Sequence, residues 1–343
     1  MNPRHRRYLI PGLLVTLLVV AALVSLAREA EGAEGDGDAQ GQGSTTSFEE
    51  VSTVTDPRIA ESSGLAVSAQ HDDLAYTIND SGNDDVVYAF RISTGEVVGA
   101  TRVTGTSWRD TEALALVDGT LWVADVGDNQ GVRDDLALYA VEEPGPGDGT
   151  AGSTRYPVAY PDGARDAESL APHPDGGFVL VSKEIPSGEL FRLGPDLTTD
   201  ATNVAEPMGV DTLLLATDAA TSPDGRFLVV RNYIGSVVLT LDGEVVRDQP
   251  LPEQPQGETL AFEPDGTSFL VGTEGSPWAL HRVAFPEGGS QPGASPEPSA
   301  GVTDAATDDV EPGVGRPQLS ILGGVVGVVI LAAVAAWAVR REQ

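Results

Sequence analysis

Short apolar runs of four to eight residues, separated by Gly, Pro, Asp and Ser turns, fill the chain from Phe48 to Phe285. The clearest example is Asp166 to Glu184, DAESLAPHPDGGFVLVSKE. The carboxylate pair Asp166 and Glu168 precedes a short apolar run, and Pro174, Asp175 and Gly176 make a tight turn. Phe178 to Val181 then reads as a second strand that ends on Ser182, Lys183 and Glu184. The pattern is strand, turn, strand. In a hairpin the start of one strand and the end of the next share an edge. Asp166, Glu168, Lys183 and Glu184 are therefore expected to meet.

Four more segments repeat this plan, starting at Glu61, Asp110, Thr217 and Glu258. Aligned on the Leu-Ala pair or the turn, they place Ser63, Glu112, Glu168, Thr217 and Glu258 at one position, 41 to 56 residues apart. Each period leaves room for two further strands, such as Val86 to Ile92 and Val97 to Val103. Four short strands per repeat predict an all-β fold, a β-propeller. Five blades are favoured, and six are possible if one degenerate blade escapes notice. Phe48 to Thr55 is an extra strand that completes the last blade and closes the ring. Helical repeats are disfavoured, because the runs are short, rich in Val and Leu, and broken by Gly and Pro.

The two ends point to a membrane. Residues 1–27 combine a basic start with an apolar stretch, which reads as a signal peptide or an uncleaved signal anchor. Residues 319–339 carry no charge and are long enough to span a bilayer. Arg340 and Arg341 follow, so the 340–343 tail is expected on the cytoplasmic side. Residues 28–47 and 286–318 read as polar, Pro/Ser/Gly-rich spacers. The propeller, 48–285, is thus expected outside the cell on a single-pass anchor in the cytoplasmic membrane. Gly323 and Gly327 form a GxxxG pair that permits a weak helix-mediated dimer.

Composition narrows the chemistry. The chain has 52 acidic and 20 basic residues among 343, for a net charge of -32, which repels nucleic acid. No cysteine is present, and the four histidines are scattered, so a zinc site is disfavoured.

In a propeller the first strand of each blade lines the central channel. Its start and the end of the second strand face one mouth. Glu61, Asp110, Glu112, Asp166, Glu168 and Glu258 fall at first-strand starts. Asn79-Asp80, Asp125, Asp128, Glu184 and Glu274 fall at second-strand ends. Crowded carboxylates raise one another's pKa unless a cation relieves them. Calcium takes six to eight oxygen ligands without His or Cys. Its candidate ligands are Glu112, Asp125, Asp128, Asp166, Glu168, Glu184 and Glu258. Structural pins between blades and catalytic carboxylates are the two other readings. Arg109, Arg231 and Lys183, the only lysine, also map to the rim and are candidates for binding a phosphate or carboxylate. Trp108 and Trp122 can stack on a ligand or fill a core.

Asp166-Ala167-Glu168 before a strand, with charges closing the next, resembles the bacterial phytase-like β-propellers, the "esterase-like activity of phytase" group. That resemblance covers about Phe48 to Phe285 and implies calcium bridging protein and phosphate, with Asp166, Glu168 and Glu258 as ligands. The chain departs from it in having Ser182-Lys183-Glu184 where the family has denser acids, and five recognisable repeats where the family has six blades. The reading is a cell-surface propeller that binds a ligand or protein partner at its acidic rim through calcium. The alternatives are a calcium-dependent phosphoester or ester hydrolase and a structural platform with no small-molecule site.

Overall fold

The computed structural model describes residues 47–286. The expected signal segment, most of the first spacer, the stalk, the span at 319–339 with Gly323 and Gly327, and the tail lie outside the described residues. Among the described residues, no helix is long and apolar enough to cross a membrane, and every regular element is a strand.

Strand β1 is Phe48–Val54. The first repeat forms β2 (Ser62–Val67), β3 (Leu74–Asn79), β4 (Val86–Arg91) and β5 (Val97–Thr104). The second forms β6 (Thr111–Val117), β7 (Thr120–Asp125), β8 (Ala137–Glu142) and β9 (Gly149–Ala159). The third forms β10 (Ala171–Pro172), β11 (Phe178–Val181), β12 (Gly188–Leu193), a short β13 (Asn203–Val204) and β14 (Glu206–Thr212). The fourth is β15 (Ala216–Thr221), β16 (Phe227–Asn232), β17 (Ser236–Thr240) and β18 (Val245–Gln249). The fifth is β19 (Gly257–Phe262), β20 (Ser268–Thr273) and β21 (Trp278–Ala284).

Each repeat is an antiparallel meander, and the fifth takes β1 as its outer strand, with Phe48 opposite Val283 and Val54 opposite Trp278. The innermost strands β2, β6, β10, β15 and β19 touch one another in cyclic order, β19 returning to β2. The described residues therefore form a β-propeller of five four-stranded blades. Pairing the last blade with the first strand ties the two ends of the ring together.

The core is divided rather than single. Five apolar clusters stand one between each pair of adjacent blades. Second strands pack against neighbouring blades on both faces, and β3, β11 and β20 are buried along their whole length. That double burial is why they read as unbroken apolar runs. Trp122 packs on Tyr156 and Phe178, and Trp108 on Tyr139. Both indoles serve blade packing.

Two features depart from the sequence reading. Strand β9 pairs with β8 over one half, and its first residues run parallel to β5 of the preceding blade. In the third blade the expected inner strand from Asp166 is regular only at β10, preceded by an isolated Ala167–Ser182 bridge. There Ser169 Oγ accepts the Val181 N–H at 2.9 Å, so a side chain takes a ladder bond.

Candidate functional site

The first strands share a local irregularity at one mouth. Pairing slips by one residue between Ser63 and Leu65, Thr111 and Ala113, Ala216 and Asp218, and Gly257 and Thr259. The extra residues in the last three are Glu112, Thr217 and Glu258. A bulge leaves one residue outside the ladder and re-aims its side chain. Three sequence-aligned positions are thus freed from pairing at the same level of the channel.

Beside each freed residue stands a pin. Ser63 Oγ donates to the Glu112 carbonyl at 3.0 Å, Thr111 Oγ1 to the Asn79 carbonyl at 3.0 Å, and Thr217 Oγ1 to the Gly257 carbonyl at 2.8 Å. Asp218 accepts the backbone N–H groups of Ala219 at 2.8 Å and Leu260 at 2.6 Å. All but the Ala219 bond cross from blade to blade. The structural and chemical roles that the sequence leaves open are divided between neighbours: Ser, Thr and Asp218 fasten the ring, while the glutamates face the axis.

Glu112 and Glu168 are buried, at 5% and 3% exposure. Lys183 Nζ lies 2.7 Å from Glu168 Oε1 and 5.4 Å from the centroid of the Tyr233 ring. Glu258 completes the group, and no hydrogen bond from any described residue reaches its carboxylate. Asp80, Asp110 and Glu112 each offer one carboxylate oxygen, all within 4.8 Å of one another. Asp166 stands behind them and accepts the Asp128 N–H at 2.7 Å. Gly127 leaves this corner open. A Cβ there would lie 2.5 Å from Glu112 Oε1 and 2.8 Å from Asp110 Oδ2.

The field at this mouth is strongly negative. Burial, then Glu168, Asp80 and Asp110, raise the Glu112 carboxyl well above the usual range. Burial raises Glu168 as well, and Lys183 only partly offsets it. Burial, with Asp80 next, pushes Asp110 up to about 6. Burial likewise pushes Glu258 up to about 7, against the pull of Lys183. Asp80 and Asp166 are also raised, chiefly by burial. Burial works against the Lys183 ammonium, but Glu168, Glu258, Tyr233 and Glu112 outweigh it, and its pKa rises. One ammonium thus stands among at least six carboxyls.

Of the residues singled out in the sequence, Asp80, Asp110, Glu112, Asp166, Glu168, Lys183 and Glu258 come together here. The remaining candidate ligands and basic groups are held elsewhere. Asp125 is fully buried and takes the Asp110 N–H at 2.9 Å and an ion pair from Arg133 at 2.9 Å. Asp128 accepts the Arg133 N–H at 2.7 Å. Glu184 is bound by Arg165 through both oxygens, at 2.7 and 3.0 Å. Arg109 reaches outward to Asp135 at 2.6 Å. Arg231 is fully buried and donates to the carbonyls of Thr259 at 2.8 Å and Gly272 at 3.3 Å. It is a girder between blades, not a rim group. Sequence reasoning places Asp80 and Asp110 at the mouth but not among the candidate ligands, and it leaves out Gly127 and Tyr233 altogether. For Asp80 the signal is present, since it follows a second strand as Lys183 and Tyr233 do.

No family model matches the chain, and neither does any curated protein. Solved structures do. A streptogramin B lyase is 11% identical with a TM-score of 0.40, over 69% of this chain and 97% of its own. A gluconolactonase from Xanthomonas campestris is 15% identical with a TM-score of 0.42, over 65% and 71%. A putative gluconolactonase is 11% identical with a TM-score of 0.40, over 71% and 93%. None of these three is a phytase; what the resemblance read from Asp166 and Glu168 shares with the structure is the propeller fold, seen in the blades themselves.

Proposed function

We propose that this protein is a membrane-anchored, extracytoplasmic propeller whose acidic mouth holds calcium, and through it a ligand or protein partner. The observation that carries this reading is the excess of carboxylates over cations. Lys183 is committed to Glu168 at 2.7 Å, while Asp80, Asp110 and Glu112 crowd together, none of them in an ion pair among the described residues. The donor set is all oxygen, as a hard cation requires. Gly127 keeps the corner free of a side chain that would displace it. Asp80, Asp110 and Glu112 would hold the ion, which would neutralise them and offer ligand oxygens a positive anchor. Anchoring rests on the apolar 319–339 segment and on Arg340 and Arg341.

Calorimetric titration of calcium into the full chain tests this. The expected result is one saturable site, with affinity weakened at least about tenfold in Glu112→Gln. Absence of binding, or binding untouched by that change, overturns the reading.

A second reading, a hydrolase, is favoured by one observation. Glu258 and Asp110 are pushed up to about 7 and about 6, where a carboxyl can both give and take a proton near neutral pH. Turnover of phosphoesters, acyl esters or lactones that is lost in Glu258→Gln, with calcium binding retained, supports the hydrolase. No turnover of any of these leaves the binding module.

A further inference from the structure

The inner strands change character along the axis. Two residues beyond Glu112, Glu168 and Glu258 stand Leu114, Leu170 and Leu260, at most 5% exposed. Past this apolar belt the channel widens at the opposite mouth into a cavity of about 620 Å³. Every inner strand contributes to its wall. Ala66, Ala115, Ala219 and Ala261 keep it wide, and Leu116 and Phe262 give it apolar bulk. Hairpin turns form the rim, and they are packed against one another. A Cβ on Gly225 would touch Pro174 at 3.0 Å, and one on Gly119 would meet Gln70 Nε2 at 2.5 Å. The cavity is therefore set by the ring itself, not by a loose loop.

Its polar side chains are few and mostly uncharged. Asp224 is paired with Arg226 at 2.6 Å and bonded by Ser222 at 2.6 Å. His173 Nδ1 accepts the Asp175 N–H at 3.2 Å, which assigns its proton to Nε2. Burial, then Arg192, lowers its pKa, so the ring is neutral near pH 7. Its Nε2–H has no partner among the described residues. The Thr221 hydroxyl, in the same wall, has none either.

We propose that this second mouth binds a small neutral molecule, largely apolar, with one hydrogen-bond acceptor for His173. Volume, alanine and leucine walls and a small number of directed polar groups match a small-molecule site. Asp118 on the rim disfavours an anion, and no unpaired carboxylate lies deep in the cavity to hold a cation. The site does not depend on calcium at the acidic mouth, so each reading can fail alone.

The absence of cysteine supplies the test. A single Thr221→Cys in the full chain puts one thiol in the cavity wall, and Val245→Cys, 69% exposed on an outer strand, is the control. Camphor, neutral and apolar with one carbonyl, is the probe, and the rate of alkylation by a neutral maleimide is the readout. Camphor should slow labelling of Thr221→Cys saturably, by about tenfold or more, and leave Val245→Cys unchanged, with calcium or chelator alike. Adding Ala219→Phe should abolish the protection, and adding His173→Phe should raise the camphor needed severalfold. Val117→Cys, also in the wall, replaces Thr221→Cys if that variant melts lower. Labelling indifferent to camphor, or slowed equally at Val245→Cys, overturns the proposal.

Discussion

Lys183 Nζ lies 2.7 Å from Glu168 Oε1, and that carboxylate is 3% exposed. The lysine follows the second strand of the third blade, and the glutamate precedes that blade's short inner strand. Removing one member of a buried pair strands the other, at a cost of about 3–5 kcal/mol. Lys183→Met should destabilise the chain on that scale in denaturant melts. The double variant Lys183→Met/Glu168→Gln should recover most of the loss, because no charge is left alone. A single variant as stable as the parent would contradict the pairing.

The pH dependence has a definite sign. Glu258 is raised from 4.5 to about 7, and Asp110 from 3.8 to about 6, both chiefly by burial. An acid with a raised folded-state pKa binds its proton more tightly when folded. Its contribution is complete below the unfolded pKa and is lost as pH rises through the folded value. In chelator, these two groups should lower Tm as pH rises from about 4.5 to 7. Saturating calcium should flatten that slope by binding the ionised form. A chelated sample whose Tm climbs steadily over this window would refute the assignment.

Gly127→Ala separates site from fold. The added methyl would meet the side-chain oxygens of Glu112 and Asp110, not backbone. Flexible side chains can yield, so stability should change by less than about 1 kcal/mol. Calcium affinity should nevertheless fall roughly tenfold, since the carboxylates must move apart. Calorimetry and a thermal melt on one preparation read both quantities.

Arg231 should behave in the opposite way. Its fully buried guanidinium serves the Thr259 and Gly272 carbonyls and Gln254 Oε1. Arg231→Met strips those acceptors, at a cost of roughly 1–3 kcal/mol for each buried group left unsatisfied. Gly257→Ala should be comparably harmful, because its Cβ would fall 1.7 Å from Arg231 NH2. Neither change should weaken calcium binding in the fraction that remains folded.

Much of the ring was legible in the sequence. The Pro-Asp-Gly turns and doubly buried second strands give strong local signals, and aligning the repeats places Glu112, Glu168 and Glu258 at one level. What stayed hidden depends on distant partners. Arg231 aligns with rim positions, but the glycine at 257 in the next blade lets it lie flat beneath them. Glu184 reads as a ligand until Arg165, 19 residues earlier, takes both its oxygens. Asp125 and Asp128 look like a compact loop site, and Arg133 claims them. Asp80 reads as one rim acid among several, and only the fold brings it within reach of Asp110 and Glu112. Strand β9 is weakly apolar, and no pattern reports that it serves two blades.

Anomalous diffraction from calcium-soaked crystals of the full chain would locate the ion. One strong peak is expected, bounded by carboxylate oxygens of Asp80, Asp110 and Glu112, with Lys183 still on Glu168. An empty corner at saturating calcium, or peaks only at exposed surface acids, would contradict calcium binding at this mouth.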